Sequence, residues 1–296
     1  MMNYWTQKEI NKEKAKEHVE DMYERFSNEI KYSIEHTEIY DEDDCLELLK
    51  ANDDRVNSGV VNIVFDKIGI SEAVCKTKSK SKKKKLCVLN FASYTNPGGM
   101  FIKGSSAQEE CICHSSTLYP IIQSFEDTFY KWNKKNKNHG LYKHRMLYTP
   151  DVIFISEKGA IFKADVITLA APNRGVALLN GVSETEIVET MRQRIKILLQ
   201  VAYIHLVDTL FLGAYGCGVF KNDPKKVSKM FYDELGKYEM LYKFPIPDTA
   251  NYKVFLENAS IFMDNELGLF LTEKYKRTNF TDDEYETLDS VEIRNF

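Results

Sequence analysis

Two adjacent carboxylates, Glu109 and Glu110, follow a glycine turn at Asn96-Pro97-Gly98-Gly99, which itself follows an apolar run. Carboxylates are the usual acids and bases for cleaving a sugar bond. Glycine lets a backbone come close to a ligand. If the two glutamates open a helix, their side chains diverge by about a third of a turn and take separate jobs. One could hold sugar hydroxyls while the other faces the scissile bond. A helix N-terminus favours the ionised form, so an acid there needs a desolvated setting to keep its proton. Acidic residues are also common in first turns for dipole reasons alone, and the pair by itself does not choose between these accounts.

A second glycine loop, Gly213-Ala214-Tyr215-Gly216-Cys217-Gly218-Val219-Phe220, also follows an apolar run. Asn222 or Asp223 then caps a helix that carries Pro224 in its first turn. Backbone N–H groups of such a loop can cradle a phosphate, and the helix dipole adds to the attraction. The glycine order is not the dinucleotide fingerprint, and the Lys-Ser/Thr ending of a P-loop is missing. By spacing alone, a tight strand-to-helix turn with no ligand explains the loop equally well. Two such loops at one edge of a sheet would make a cleft, because ligands in open α/β sheets lie beyond the carboxyl ends of strands. Together they favour a sugar-phosphate site.

Other candidates carry less. Ala171-Pro172-Asn173-Arg174-Gly175 could line the cleft or be a simple turn. His114, His139, His144 and His205 form no triad pattern, and His205 reads as structural. Cys111-Ile112-Cys113-His114 has no second cysteine pair at ligand spacing, so it reads as buried free thiols at a helix start and not as a metal site. The six cysteines show no secreted disulfide framework.

The elements that must position these residues alternate between strand and helix, which predicts a layered α/β domain. Helical spacing runs from about Thr6 to Ile34, with Val19, Met22, Tyr23, Phe26 and Ile30 on one face. Asp41 to Asp44 is a solvated acidic start to a short helix or turn over Cys45–Leu49. Strands are predicted at Val60–Phe65, Leu86–Phe91, Val152–Ile155, Asp165–Ala170, Thr209–Leu212 and, as the last strand, Phe255–Met263. Leu86–Phe91 is apolar throughout, as a central strand covered on both faces should be. Helices are predicted at Ile70–Lys76, Cys111–Ser124 with a break near Pro120, Glu184–Tyr203 and Pro224–Leu241. Asn133–His139 reads as a loop, and the chain from about Thr272 as a loose polar tail.

Composition narrows the class. Hydrophobic residues make up 43% of the 296, enough for a large core and too many for global disorder. A net charge of −4 gives no global pull toward nucleic acid, so an anionic ligand must be held by local geometry and direct nucleic-acid binding is not expected. There is no apolar run that would span a bilayer and no secretory start, which places the protein inside the cell and in the cytoplasm, away from membranes. Lys78–Lys85 reads as a solvated loop ahead of a strand, and a nuclear signal is the other reading.

Six blocks fall in one order: Val88–Ser93, Asn96–Gly99, Ala107–Glu110, Ser116–Tyr119, Ala171–Asn173 and Gly213–Phe220. Taken together, from about Ile34 to Asp264, the chain resembles the microbial-type poly(ADP-ribose) glycohydrolases, which are macrodomain proteins. The resemblance implies a three-layer α/β/α macrodomain with a mixed central sheet. Residues 1–50 would form an N-terminal helical extension, 51–270 the glycohydrolase domain and 271–296 a polar tail. It implies hydrolysis of the ribose–ribose bonds of ADP-ribose chains on modified proteins, with no cofactor and no metal. Glu110 would be the acid and then the base, and Glu109 would orient the distal ribose. Asn96, Gly98 and Gly99 would border the distal ribose, and Met100 and Gln108 would also be ligand contacts. Gly216, Cys217, Gly218 and Val219 would hold the diphosphate, with Phe220 against the ligand. One position departs from the family pattern: Met100 stands where the third glycine of a triplet is expected. That leaves a mono-ADP-ribosyl-protein hydrolase or a non-catalytic ADP-ribose reader as alternatives.

Overall fold

The computed structural model describes residues 4–51, 61–77, 84–266, 270–271 and 290–294. Among them, nine strands form one mixed sheet. In chain order these are β1 (Glu38–Tyr40), β2 (Asn62–Asp66), β3 (Leu86–Phe91), β4 (Met146–Ile155), β5 (Ile161–Leu169), β6 (Thr209–Phe211), β7 (Leu241–Pro245), β8 (Phe270–Leu271) and β9 (Ser290–Arg294). Across the sheet the order is β1-β4-β5-β3-β6-β7-β2-β9-β8. The inner strands β5, β3, β6, β7 and β2 are parallel, and both flanks are antiparallel.

The helices are α1 (Tyr4–Glu35), α2 (Glu42–Ala51), α3 (Ile70–Lys76), α4 (Gln108–His114), α5 (Leu118–Gln123), α6 (Lys131–Lys135), α7 (Arg174–Leu179), α8 (Glu184–Ile204), α9 (Pro224–Leu235) and α10 (Thr249–Glu266). Strand β3 shows why they form two layers. Its Cys87 and Leu89 pack with residues of α2, α8, α9 and α10. Its Leu86 and Val88 pack with residues of α1, α3, α4 and α5. Side chains alternate faces along a strand, so an unbroken apolar run is what a strand covered on both sides requires. The result is the expected three-layer α/β/α domain with a mixed central sheet.

The N-terminal helix props the site segment. Ala15, Met22, Phe26 and Ile30 of α1 are buried, whereas Tyr23, placed on the same face by its spacing, is exposed. Gly104 takes φ +81 and packs against the backbone of Lys8, and Asn11 Nδ2 donates to Gly104 O at 3.3 Å. His18 Nε2 lies 2.9 Å from Ser116 O. α1 therefore touches the chain on both sides of the two glutamates.

Several elements differ from their sequence signals. The helical stretch after the glutamates breaks at Ser115–Thr117, not at Pro120. Pro120 sits in the first turn of α5, where its missing N–H has no intrahelical partner to lose. Asn133–His139 is not a plain loop, because α6 reaches Lys135 and a 3₁₀ turn covers Asn138–Gly140. The helix from Pro224 stops at Leu235, with Gly236 at its C-cap, and Leu241 already belongs to β7. Phe255–Met263 is helical, within α10. Ser290–Arg294 in the polar tail is a strand antiparallel to β2. Of the Lys78–Lys85 run, residues 78–83 lie outside the described residues, as do Val60 and 272–289.

Candidate active site

Strand β3 pairs with β6 only as far as Val88, opposite Phe211. Beyond that point Gln108 takes over the free edge. Phe91 N donates to Gln108 Oε1 and Gln108 Nε2 donates to Leu89 O, each at 2.8 Å. The side-chain amide replaces the next residue of a neighbouring strand and pins the start of α4 to the sheet. Gln108 is thus a scaffold residue as well as part of the lining of an adjoining cavity.

The next two residues are buried carboxylates, Glu109 at 3% and Glu110 at 6% exposure. Their side chains do not diverge as helix geometry alone suggests. Both reach back to the glycine turn, where a Cβ on Gly99 would lie 2.6 Å from Glu110 Oε1 and 3.0 Å from Glu109 Oε2. Gly99 also has φ +60, so glycine is required there twice over. Met100, by contrast, has φ −115 and an exposed side chain. Its N–H donates to Glu110 Oε1 at 2.9 Å. The turn needs that N–H and no particular side chain, so methionine fits where a third glycine is the family pattern.

The two glutamates are held differently. Glu109 Oε2 accepts from Ser93 N at 2.7 Å, its Oε1 accepts from Asn90 Nδ2 at 3.1 Å, and Gly98 N–H also binds the carboxyl group. Burial outweighs these donors and pushes the Glu109 carboxyl up to about 8, with the nearby Glu110 charge acting in the same direction. Burial thus favours the neutral form of Glu109. Glu110 accepts from Met100 N through one oxygen, and its other oxygen has no partner among the described residues.

The second loop is built against the Ala171–Asn173 segment. Gly216 has φ +71, and a Cβ there would meet Ala171 Cβ at 2.6 Å. Asn222 Nδ2 ties the loop by donating to Pro172 O at 2.8 Å and to Gly216 O at 3.0 Å. That leaves Asp223 as the cap of α9, accepting from Lys225 N. Asn173 caps α7 and accepts from Val176 N. The segment is thus a buttress, while the loop faces outward: Val219 is 78% exposed. The N–H groups of Gly216, Gly218, Val219 and Phe220 have no acceptor among the described residues. Such a concentration of donors is an anion-binding concavity. A cavity of about 350 Å³ adjoins it, lined by Ile70, Phe91, Cys111, Gly218, Phe220 and Pro245 among others.

The catalytic-domain model of microbial-type poly(ADP-ribose) glycohydrolase (PARG) matches residues 6–157, which is 152 of the 296 residues. The chain belongs to this family. The crystal structure of the PARG from Thermomonospora curvata superposes with a TM-score of 0.75 at 26% identity, covering 84% of this chain and 99% of that one. The same enzyme bound to the inhibitor ADP-HPD gives 0.73 at 25%, with 84% and 98% covered. The PARG from Deinococcus radiodurans in complex with ADP-ribose gives 0.68 at 27%, with 78% and 97% covered. No curated protein sequence matches the chain.

Within this PARG fold, Glu109, Glu110, Gly98, Gly99 and the Met100 backbone converge on one turn, and Gly216–Phe220 form the second loop. Asn96 is exposed at the rim of the first turn, its N–H bonded to Ser93 Oγ at 3.2 Å. Cys217 is half-buried, and burial pushes its thiol up, so it acts as a small apolar wall. Cys113 is buried as expected, but Cys111 is exposed and lies at the cavity. His205 stacks on Tyr148 with centroids 3.4 Å apart, a structural role. Sequence reasoning missed Asn90 and Ser93, which hold Glu109. Their signal was position alone, at the carboxyl end of the central strand.

Proposed function

We infer that the chain hydrolyses the O-glycosidic ribose–ribose bonds of poly(ADP-ribose) and releases ADP-ribose. The observation that carries the roles is the asymmetry between the glutamates. Both oxygens of Glu109 are engaged, while Glu110 uses only Oε1, for Met100 N–H, and keeps Oε2 untied. A proton donor needs such an oxygen, and a group that orients a sugar needs fixed geometry, which the donors around Glu109 supply.

The distal ribose packs over Gly98 and Gly99, with its hydroxyls at Glu109. The diphosphate takes the open N–H groups of Gly216 and Gly218–Phe220, and the nucleoside end takes the adjoining cavity. Glu110 gives its proton to the bridging oxygen, the bond from that oxygen to the anomeric carbon breaks, and the next unit leaves as an alcohol. Positive charge on the anomeric carbon is stabilised by the nearby diphosphate. Water adds to that carbon as Glu110, now ionised, takes one of the water's protons, so the carboxyl group ends protonated as it began. The outward side chain of Met100 leaves this path clear, which favours turnover over a reader without activity. Polymer attached to modified proteins is the proposed physiological substrate, met in the cytoplasm.

The test is release of ADP-ribose from purified polymer, with Glu110→Gln as control. Turnover by the wild type and loss of turnover in Glu110→Gln with ADP-ribose binding intact are expected. A Gln variant that cleaves at the wild-type rate would remove Glu110 from the role.

A further inference from the structure

Backbone strain concentrates beside the site. Among the described residues six non-glycine residues have positive φ, and three of them, Asn138 (+44), His139 (+53) and Tyr142 (+63), fall within five positions. A fourth, Lys221 (+59), directly follows Phe220. Such conformations persist only where the surroundings over-determine them, and they cluster at functional sites.

The surroundings of Tyr142 do this thoroughly. Arg194, fully buried on α8, donates to Leu141 O at 2.7 Å, Lys143 O at 3.3 Å and Ala170 O at 3.0 Å. Asn173 N donates to Gly140 O at 2.8 Å. Lys143 N donates to the Tyr94 hydroxyl, which donates to Asn136 O. A buried guanidinium and a buried tyrosine are thus spent on holding one short turn.

That turn delivers the ring of Tyr142. The ring stacks on Tyr94 at 4.3 Å and 12°, and its centroid lies 6.1 Å from that of Phe220. Tyr94 leads into the first glycine turn and Phe220 ends the second, so Tyr142 bridges the two ligand loops. It is only half-buried, and its hydroxyl has no partner among the described residues. The cavity assigned to the nucleoside end is lined by Phe220 but not by Tyr142 or Tyr94. Tyr142 therefore sits between Phe220 and Tyr94, off the cavity lining and toward the first glycine turn, the end at which the proposed function puts the scissile bond.

Resting on the proposed function, we propose that Tyr142 is a specificity-determining residue for the leaving group. Its ring and hydroxyl, beside Phe220, hold the nucleoside of the unit that departs. A flat aromatic ring suits a sugar and base, and contact with the leaving group acts on polymer without acting on free ADP-ribose.

The experiment compares wild type, Tyr142→Phe and Tyr142→Gly on purified polymer and, by calorimetry, on ADP-ribose. Glycine accepts the φ of position 142, so a folded variant is expected, checked by its melting temperature. Should it melt early, Tyr142→Asn, another residue that tolerates this φ, carries the same comparison. The expected result is an ADP-ribose Kd within twofold in every variant. KM for polymer should rise at least fivefold in Tyr142→Gly and stay within threefold in Tyr142→Phe. Wild-type KM and kcat in the folded Gly variant overturn the proposal, as does a loss of ADP-ribose affinity that matches the loss of turnover. A wild-type protein that binds ADP-ribose but leaves polymer uncut would instead sink the proposed function.

Discussion

The two glycine loops carry the same sequence signal and do opposite work. In the first, N–H groups of Ser93, Gly98 and Met100 point at the protein's own carboxylates. In the second, the N–H groups of Gly216 and Gly218–Phe220 are open. One loop holds the protein's own carboxyl groups, the other is left for an external anion. Strand-then-glycine therefore says that backbone donors are gathered at a sheet edge, not whose charge they serve. The nearest acidic residues in the chain decide that.

The largest effect that tests this contrast is Glu110→Gln. Loss of the mobile proton should lower kcat on polymer by about 10²–10⁴-fold, while ADP-ribose affinity holds, because the diphosphate sits on the other loop. A stopped turnover assay beside calorimetry reads both.

The second test uses pH. The Glu109 carboxyl is raised to about 8 in the folded protein. The folded state keeps a proton that the unfolded chain releases near pH 4.5, so stability falls as pH rises from about 4.5 to about 8. The slope is at most about 1.4 kcal/mol per pH unit. Denaturant melts across that window should show it, and Glu109→Gln should flatten it. A flat wild-type profile would mean that the donors around Glu109 offset its burial.

Glycine substitutions come next. Gly99→Ala forces a Cβ against both glutamates at φ +60 and should cost about 1–3 kcal/mol together with most of the activity. Gly216→Ala meets Ala171 at φ +71 and should cost a similar amount, but with ADP-ribose affinity falling too. Gly218→Ala has open space around it, so melting should shift by less than about 0.5 kcal/mol while affinity for ADP-ribose drops. Equal destabilisation at Gly99 and Gly218 would erase the distinction between the loops.

The smallest effect belongs to Met100→Gly. The N–H bond to Glu110 survives and the side chain points outward, so polymer turnover should stay within about threefold of wild type. A large gain would mean that the methionine narrows the cleft in solution.

Much of this was legible in the sequence. The central strand and the two loops were marked by apolar runs leading into glycine, and the long helix before β6 by the helical spacing of Ile187, Met191, Ile195 and Leu198. The role of Gln108 was not, because edge capping depends on β6 stopping at Phe211, a fact of pairing and not of composition. The last helix was misread because Tyr252, Phe255, Leu256 and Ala259, all buried, follow helical spacing within a run that also looks strand-like. β7 was missed: the predicted helix ran past its stop at Gly236 to Leu241, and Tyr242–Pro245 carried no assignment. Strand Ser290–Arg294 follows a polar stretch, and its pairing with β2 has no local signal.

The amide of Gln108 makes one proton of this protein unusually telling. Phe91 N–H is held by a side chain from the first residue of the helix that bears both glutamates. It exchanges with solvent when the Gln108 amide releases the strand edge. Its exchange rate, read by magnetic resonance at one peak, therefore reports how firmly the start of that helix is pinned to the sheet. Ligands, temperature and distant substitutions can all be ranked on that single clock.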